Sequence, residues 1–324
     1  MFDEKMNYKK DLKILFFGLG SIGTKHAKII QENYNYELYA YRTKKGQERN
    51  NLKIKEFSDL KIAFSIKPDI AFITNPTYLH VPTAIKCAKR NINMFIEKPI
   101  FNSLEKTDYL EKEIKKRKLF TYVAYNMRFH PVIKKLKEIS DKPIYFKIIS
   151  NSYLPEWRPN QDYTKSYSAK KNQGGGVILD LSHEIDYVSW LFGEIRKIEG
   201  FCGKISDLKI NCEDIMTGQV KCSSGITGKL HLDCFNPNSQ RKIQIYYVDK
   251  YVEGDLLENK IKTIKNGKEQ VENFKTSIDD TYREQIKYFF EQYHKNNLVI
   301  MNNYSESLKT FKNIMKFKKE CNLV

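Results

Sequence analysis

Three short segments, in a fixed order, hold residues able to move a proton beside a bound redox nucleotide. Gly18-Leu19-Gly20-Ser21-Ile22-Gly23 lies near the start of the chain. Glu97-Lys98-Pro99 follows an apolar run, and Gly174-Gly175-Gly176 leads into Asp180, His183 and Asp186. Gly18, Gly20 and Gly23 follow a strand-like run and open a helix-like one, the context in which such glycines bind a dinucleotide pyrophosphate. Gly18 permits a tight turn, Gly20 lets the backbone approach the phosphates, and Gly23 allows close helix–strand packing. Together with Ser21 and Ile22 they put amide groups at the positive end of a helix dipole.

Lys98 ends a buried strand beside Glu97. Partial desolvation lowers a lysine pKa, so an amine held there is usable as an acid or as a hydrogen-bond donor to a reacting oxygen. Asp180 and His183 are three residues apart on a helix-like stretch and are expected to share a face. A carboxylate beside an imidazole fixes its tautomer and stabilises its charged form. Asp186 offers the same from the next turn. The three glycines are read as letting the chain come close to a ligand.

Two further stretches sit where a dinucleotide would lie. An acidic residue at the end of the second strand would bind a ribose 2′-hydroxyl. This chain has Tyr41-Arg42-Thr43-Lys44-Lys45 there, so a 2′-phosphate is better served, with Arg42 and Thr43 in reach. NADP(H) is the expected cofactor, with NAD(H) also possible. Thr74-Asn75-Pro76-Thr77 ends another strand. Asn75, Pro76 and Thr77 would line the nicotinamide ribose, and His80 would follow on the next helix.

These residues need a scaffold, and the hydrophobic pattern supplies one. Leu12 to Gly18, Glu37 to Tyr41, Asp69 to Thr74, Met94 to Ile96 and Phe120 to Ala124 read as strands. Ser21 to Asn33, Thr83 to Arg90 and Ser103 to Lys118 read as helices between them. That alternation predicts a parallel, doubly wound sheet with ligand at its carboxyl edge. After residue 124 the pattern changes to long strand-like runs, from Ile144 to Ser150 through Lys260 to Ile264, several alternating apolar and polar residues as in a sheet with one exposed face. Asn266-Gly267 is a tight-turn signal. Helices are expected at Thr281 to Lys295 and Ser305 to Cys321. No repeat or low-complexity linker separates the halves.

The 324 residues allow two domains. Of 56 basic residues nine are Arg, which leaves 47 Lys, and the net charge is +17. The lysines are scattered and lie beside Asn, Ile and Tyr, unlike the clustered Arg stripe of a nucleic-acid interface. No apolar run approaches the roughly 20 residues that span a bilayer, and the start is too polar for a secretory signal. No nucleic acid and no membrane are expected as partners, and the expected location is cytoplasmic. The six cysteines form no metal-ligand spacing, so no metal is expected and the thiols read as reduced and structural.

As a set, GLGSIG at 18–23, TNPTYLH at 74–80, EKP at 97–99, YNMRFHP at 125–131 and GGGVILDLSHEID at 174–186 resemble the Gfo/Idh/MocA family of sugar-type oxidoreductases. The resemblance implies an N-terminal Rossmann domain, residues 1–124, and a C-terminal α/β domain, residues 125–324, with a large open, mostly antiparallel sheet. The last helices could pack back on the first domain. It implies Lys98 and His183 as the catalytic pair with Asp180 supporting, a cis peptide before Pro99, and a homodimer or homotetramer. Many relatives place one more residue between the aspartate and the histidine, which leaves the role of Asp180 open.

Leu154-Pro155-Glu156-Trp157-Arg158-Pro159 and the residues through Ser168 resemble a branch of surface-sugar and nonulosonate enzymes. Trp157 and Tyr163 would stack on a sugar ring, and Arg128, Arg158 and Lys170 would meet a carboxylate or phosphate. Asn126 and Asp186 complete the expected substrate contacts. The expected reaction is hydride transfer between a nicotinamide and a carbinol or carbonyl carbon of a sugar or activated sugar. The alternatives are a redox-neutral, cofactor-assisted elimination or hydrolysis, and a non-catalytic cofactor-binding regulator.

Overall fold

The computed structural model describes residues 11–43 and 50–323. Lys44, Lys45 and the polar start of the chain up to residue 10 lie outside them. The chain divides into two compact units. One takes in the chain through Ala124 together with Tyr282–Ser307, and the other takes in Tyr125–Thr281 and the residues from Leu308 on.

The first unit is built on six parallel strands: β1 (Lys13–Phe17), β2 (Glu37–Tyr41), β3 (Lys55–Phe57), β4 (Ile70–Ile73), β5 (Asn93–Ile96) and β6 (Thr121–Val123). Their order in the sheet is β3-β2-β1-β4-β5-β6. The connections carry α1 (Ser21–Asn33), α2 (Leu60–Ser65), α3 (His80–Ala88) and α4 (Thr107–Arg117). Parallel strands covered on both faces are apolar throughout, as in the fully buried IAFI of β4. Phe72 stacks on Phe95 with centroids 4.5 Å apart, and Phe289 meets both edge-on. The chain order reverses between β1 and β4, and this opens a crevice at the carboxyl ends of those two strands.

The start expected for the fourth helix is corrected. Lys106 adopts a left-handed conformation with φ of 61°, so the helix begins at Thr107 and not at Ser103.

The second unit holds an eight-stranded sheet of β7 (Tyr145–Tyr153), β8 (Ile195–Gly203), β9 (Ile215–Cys222), β10 (Thr227–Asp233), β11 (Phe235–Tyr246), β12 (Lys250–Asp255), β13 (Lys260–Lys265) and β14 (Lys268–Asn273). Its order is β14-β13-β12-β11-β7-β10-β9-β8, antiparallel except where β7 meets β10. Asn266 and Gly267 both take positive φ and close the last hairpin. Helices α5 (Pro131–Glu138), α6 (Val177–Asp180) and α7 (Ser182–Phe192) belong to this unit. Phe192 stacks on Phe146 at 4.2 Å, and the Phe146 ring covers the space where a Cβ at Gly228 would stand. The last two helices are α8 (Ile278–His294) and α9 (Tyr304–Glu320). From Tyr282, α8 belongs to the first unit, where Phe289 and Phe290 pack on Phe72. No helix of the described residues is long and apolar enough to cross a membrane.

His130 precedes α5 and is 3% exposed; its Nε2 lies 3.1 Å from the Asn259 amide oxygen. Burial holds its pKa down to about 4. The unfolded chain takes up that proton near pH 6.5. Between about pH 6.5 and 4 the unfolded state therefore binds the extra proton, and stability is lost as the pH falls through that window. Thermal unfolding across this range should show that slope, and His130→Gln should flatten it. An unchanged slope in the variant would rule out the His130 contribution.

Candidate active site

Gly18 takes φ of 96°, a region that side chains avoid, and its N–H bonds to the Tyr41 carbonyl at 3.1 Å. Its carbonyl accepts from the Thr74 hydroxyl at 2.7 Å. A Cβ on Gly23 would stand 2.5 Å from that carbonyl and 2.8 Å from the Thr74 hydroxyl, so only glycine lets α1 start there. Gly20 differs, because nothing lies within 4 Å of where its Cβ would be. Gly20 caps α1 without a side-chain hydrogen bond, and the first turn holds no acidic residue. The amides of Ser21, Ile22 and Gly23 are the orphan donors of that helix end, facing an open approach suited to an anion.

Arg42 follows β2, and its guanidinium donates to Glu56 on β3 at 2.8 Å. A carboxylate thus stands at this edge after all, brought by the next strand. Thr43 lies beside it, while Lys44 and Lys45 fall outside the described residues.

After β4, Asn75 donates to the Thr83 hydroxyl at 3.0 Å, Pro76 is exposed and Thr77 is buried. His80 is 1% exposed, with Nδ1 3.1 Å from the Ile100 carbonyl and Nε2 2.8 Å from the Asn75 carbonyl. Burial lowers its pKa. His80 turns both ring nitrogens inward, between the loop after β4 and the loop after β5, and a neutral ring donates to only one of the two carbonyls. Glu97 ends β5 almost fully buried. One carboxylate oxygen lies 2.5 Å from His26 Nε2 on α1, and the other accepts the Lys98 N–H at 3.0 Å. Lys98 is half-buried, and its peptide bond to Pro99 is cis.

In the second unit the segment YNMRFHP forms a buried 3-10 turn at Asn126–Phe129. Asn126 donates to the Thr281 hydroxyl at 2.6 Å. Arg128 grips Asp186 with two hydrogen bonds of 2.8 and 2.7 Å, and both side chains are 1% exposed. Arg128 and Asp186 give one another the partner that a buried charge needs. Asp180 and His183 do not stand on one continuous helix. Leu181 breaks the helix, so Asp180 ends α6 and His183 lies in the first turn of α7. The Tyr125 ring meets the His183 ring edge-on at 5.7 Å. Tyr167 bonds Asp180, whose charge, with burial, holds the phenol above its usual pKa.

Two of the three glycines approach the protein itself. A Cβ on Gly175 would meet the Tyr167 carbonyl at 2.3 Å, and one on Gly176 would meet the Glu213 carboxylate at 2.5 Å. Glu213 in turn pairs with Lys318 of α9 at 2.7 Å, with both buried. Trp157 donates to the Ser152 hydroxyl at 2.9 Å. Arg158 lies over the Tyr167 ring at 5.0 Å, and the Tyr163 hydroxyl accepts from the Lys209 N–H at 3.1 Å. All three remain half-buried. The cysteines are free, and burial pushes Cys212 and Cys222 up to about 12, as expected of structural thiols.

Sequence reading passed over His26, Glu56, Glu213 and Lys318, and gave Tyr167 no role of its own. A signal existed for His26, which stands on the helix stripe of Gly23, Ala27 and Ile30, where a polar ring needs a partner. None existed for Glu56, Glu213 or Lys318, whose partners are remote in sequence.

A parallel sheet of this order, with an uncapped glycine turn at its switch point, defines a dinucleotide-binding α/β unit. The chain belongs to the Gfo/Idh/MocA family. Residues 12–125 match its oxidoreductase, NAD-binding Rossmann-fold model, and residues 142–250 match its C-terminal domain. Myo-inositol 2-dehydrogenase of Thermotoga maritima is 28% identical over 195 residues, 56% of this chain and 55% of that protein. The 2,7-anhydro-N-acetylneuraminate hydratase of Escherichia coli is 26% identical over 181 residues, 55% of this chain and 49% of that one. The chain spans about half the length of these curated relatives. Among solved structures, UDP-N-acetylglucosamine 3-dehydrogenase from Acidithiobacillus ferrooxidans superposes with a TM-score of 0.80 at 17% identity, covering 97% of this chain and 99% of that one. Levoglucosan dehydrogenase in complex with NADH and levoglucosan gives 0.80 at 14% identity, covering 97% and 98%. These two likenesses show the fold.

Removing one member of the Arg128–Asp186 pair should strand a buried charge. Arg128→Met should cost about 3–5 kcal/mol in urea unfolding, and Arg128→Met with Asp186→Leu should recover much of it. A loss under about 1 kcal/mol in the single variant would show that the pair is not the anchor described.

Proposed function

We propose that this chain is a nicotinamide-dependent oxidoreductase acting on a CH–OH or carbonyl carbon of a sugar or polyol. The observation that carries this reading is the open, uncapped glycine turn at Gly20 on the sheet's switch point, in a chain that also keeps Lys98 and His183. The residues fit the cofactor. The amides of Ser21, Ile22 and Gly23 would hold the pyrophosphate, Asn75, Pro76 and Thr77 would border the ribose, and the Glu97–Lys98 corner would meet the nicotinamide end. When bound, the nicotinamide accepts or returns the hydride at its ring carbon.

The protein's own part is proton handling and orientation. In the oxidative direction His183 takes the hydroxyl proton, and the Lys98 amine donates a hydrogen bond to the developing alkoxide. Asp180, itself held by Tyr167, supports the imidazole. Trp157, Arg158 and Tyr163 are the proposed sugar contacts. The named substrates of the relatives support a polyhydroxylated ring, and an open sheet face supports a homodimer or homotetramer.

Cofactor choice rests on Arg42. It would meet the 2′-phosphate of NADP(H), while Glu56, already paired with it, opposes that phosphate and leaves room for NAD(H).

Purified protein should reduce NAD⁺ or NADP⁺ with at least one of myo-inositol, levoglucosan and UDP-N-acetylglucosamine. Lys98→Ala should lower kcat by about 10²–10⁴-fold with NADH binding retained. Near-normal turnover in that variant, or product formed with no net reduction of cofactor, would overturn the mechanism. In fluorescence titrations Arg42→Ala should weaken NADPH more than NADH, and Glu56→Gln should strengthen NADPH. Equal effects on both cofactors would remove Arg42 from cofactor selection.

A further inference from the structure

We infer that His26 is a positioning residue for Lys98, acting through Glu97. The inference rests on the reading of Lys98 given above. His26 stands on the buried face of α1 with Gly23, Ala27, Ile29 and Ile30, and is the one ionisable side chain on that face. Its ring is 0% exposed, edge-on to Phe95 at 5.0 Å and to Tyr282 at 5.8 Å. A polar ring in such a setting costs free energy unless it makes a hydrogen bond. It makes one, from Nε2 to Glu97 Oε1 at 2.5 Å, while Nδ1 meets no hydrogen-bond partner among the described residues. An unmet lone pair on Nδ1 is cheaper than an unmet N–H, so Nε2 is the nitrogen that donates.

Glu97 therefore bridges two elements. One oxygen is fixed by α1, and the other receives the Lys98 N–H at 3.0 Å. Without His26, a carboxylate only 7% exposed would lose its side-chain donor. It would turn toward water and release the Lys98 peptide. The helix that provides the anchor is the helix whose N-terminus faces the cofactor approach, and Gly23, one turn before His26, is seated against the Gly18 carbonyl. Placement of the lysine and placement of the cofactor turn thus share one rigid element.

The test compares His26→Leu, His26→Gln, Glu97→Gln and Lys98→Met in the full chain. Gln places an amide nitrogen near the position of Nε2 and should restore the bond. With the sugar that passes the substrate screen, His26→Leu should lose kcat by about 10–100-fold, as expected for a displaced catalytic group. KM and NADH affinity should stay within about threefold, and His26→Gln should recover most of the loss. Independently of any substrate, hydrogen exchange of the peptide covering residues 97–101 should quicken in His26→Leu and return toward normal in His26→Gln.

Wild-type kcat and exchange in a folded His26→Leu overturn the inference. If His26→Leu does not fold, Glu97→Gln decides. It keeps the volume but has one acceptor oxygen for two donors, His26 Nε2–H and the Lys98 N–H, so the bridge is broken on one side, and normal kcat and exchange there overturn the inference as well. Full activity in Lys98→Met would instead overturn the underlying reading of Lys98, and the exchange result would still stand or fall separately.

Discussion

The first unit depends on one close approach, between the carbonyl of Gly18 and the hydroxyl of Thr74 across the switch point. β1 and β4 are neighbours whose connections leave in opposite directions, so the sheet opens there and a helix must start at once. It can start only because Gly23 lacks a Cβ that would sit 2.5 Å from that same carbonyl. From this contact follow the direction of α1, the orphan amides at its first turn and the depth at which its buried face meets β5. Three glycines serve three ends here. Gly18 supplies backbone conformation, Gly23 supplies packing, and Gly20 leaves space that the protein does not fill.

The second unit answers a different constraint, the burial of charge. α7 carries Glu184 and Asp186 on a helix that is almost wholly inside, and each carboxylate needs a cation. Arg128 serves Asp186 and Arg241 serves Glu184. Lys318 of α9 does the same for Glu213 beneath Gly176. The chain holds nine arginines among 56 basic residues, yet two of them stand on these carboxylates. A planar fork meets a carboxylate with two aligned donors, and it is more weakly hydrated than an ammonium group. The lysine majority stays with the solvent, and its scattered charge does not define a surface of its own.

Much of this architecture was legible because it follows from periodicity. The apolar runs of β1, β4 and β5, the helix Ser21–Asn33 and the strand Glu37–Tyr41 needed only the local pattern. The switch to long strands after residue 124 forecast the large antiparallel sheet. What escaped was short or non-local. β3 and α2 are three and six residues long and carry little periodicity. The interruption at Leu181 is a backbone event inside a stretch whose spacing fits one helix. Residue type and spacing singled out Gly18, Gly23, Lys98 and His183 as candidates, but could not tell a side chain facing a ligand from one facing the core. His80, Arg128 and Asp186 all carry chemistry in principle, and each is satisfied within the fold. At Gly175 and Gly176 the sequence could not show that the crowding that demands glycine comes from Tyr167, Ser168 and Glu213.

That inward commitment narrows where selectivity can reside. Asn126, Arg128 and Asp186 are buried and bonded within the fold, and the half-buried Trp157, Arg158 and Tyr163 are the proposed sugar contacts. They lie on a run of short 3-10 turns between residues 154 and 173, the kind of irregular segment whose shape follows its own side chains. This segment is not loose. Arg158 rests on the Tyr167 ring, and Tyr167 is bonded to Asp180, one turn of chain before His183. A change in the segment that repositions Arg158 therefore also disturbs the Tyr167–Asp180 bond. In the proposed mechanism, the sugar contact by Arg158 and the proton handling near Asp180 are thus linked through Tyr167. On the proposed mechanism, altering which sugar is held without altering how its proton is handled requires changes that leave Tyr167 in place.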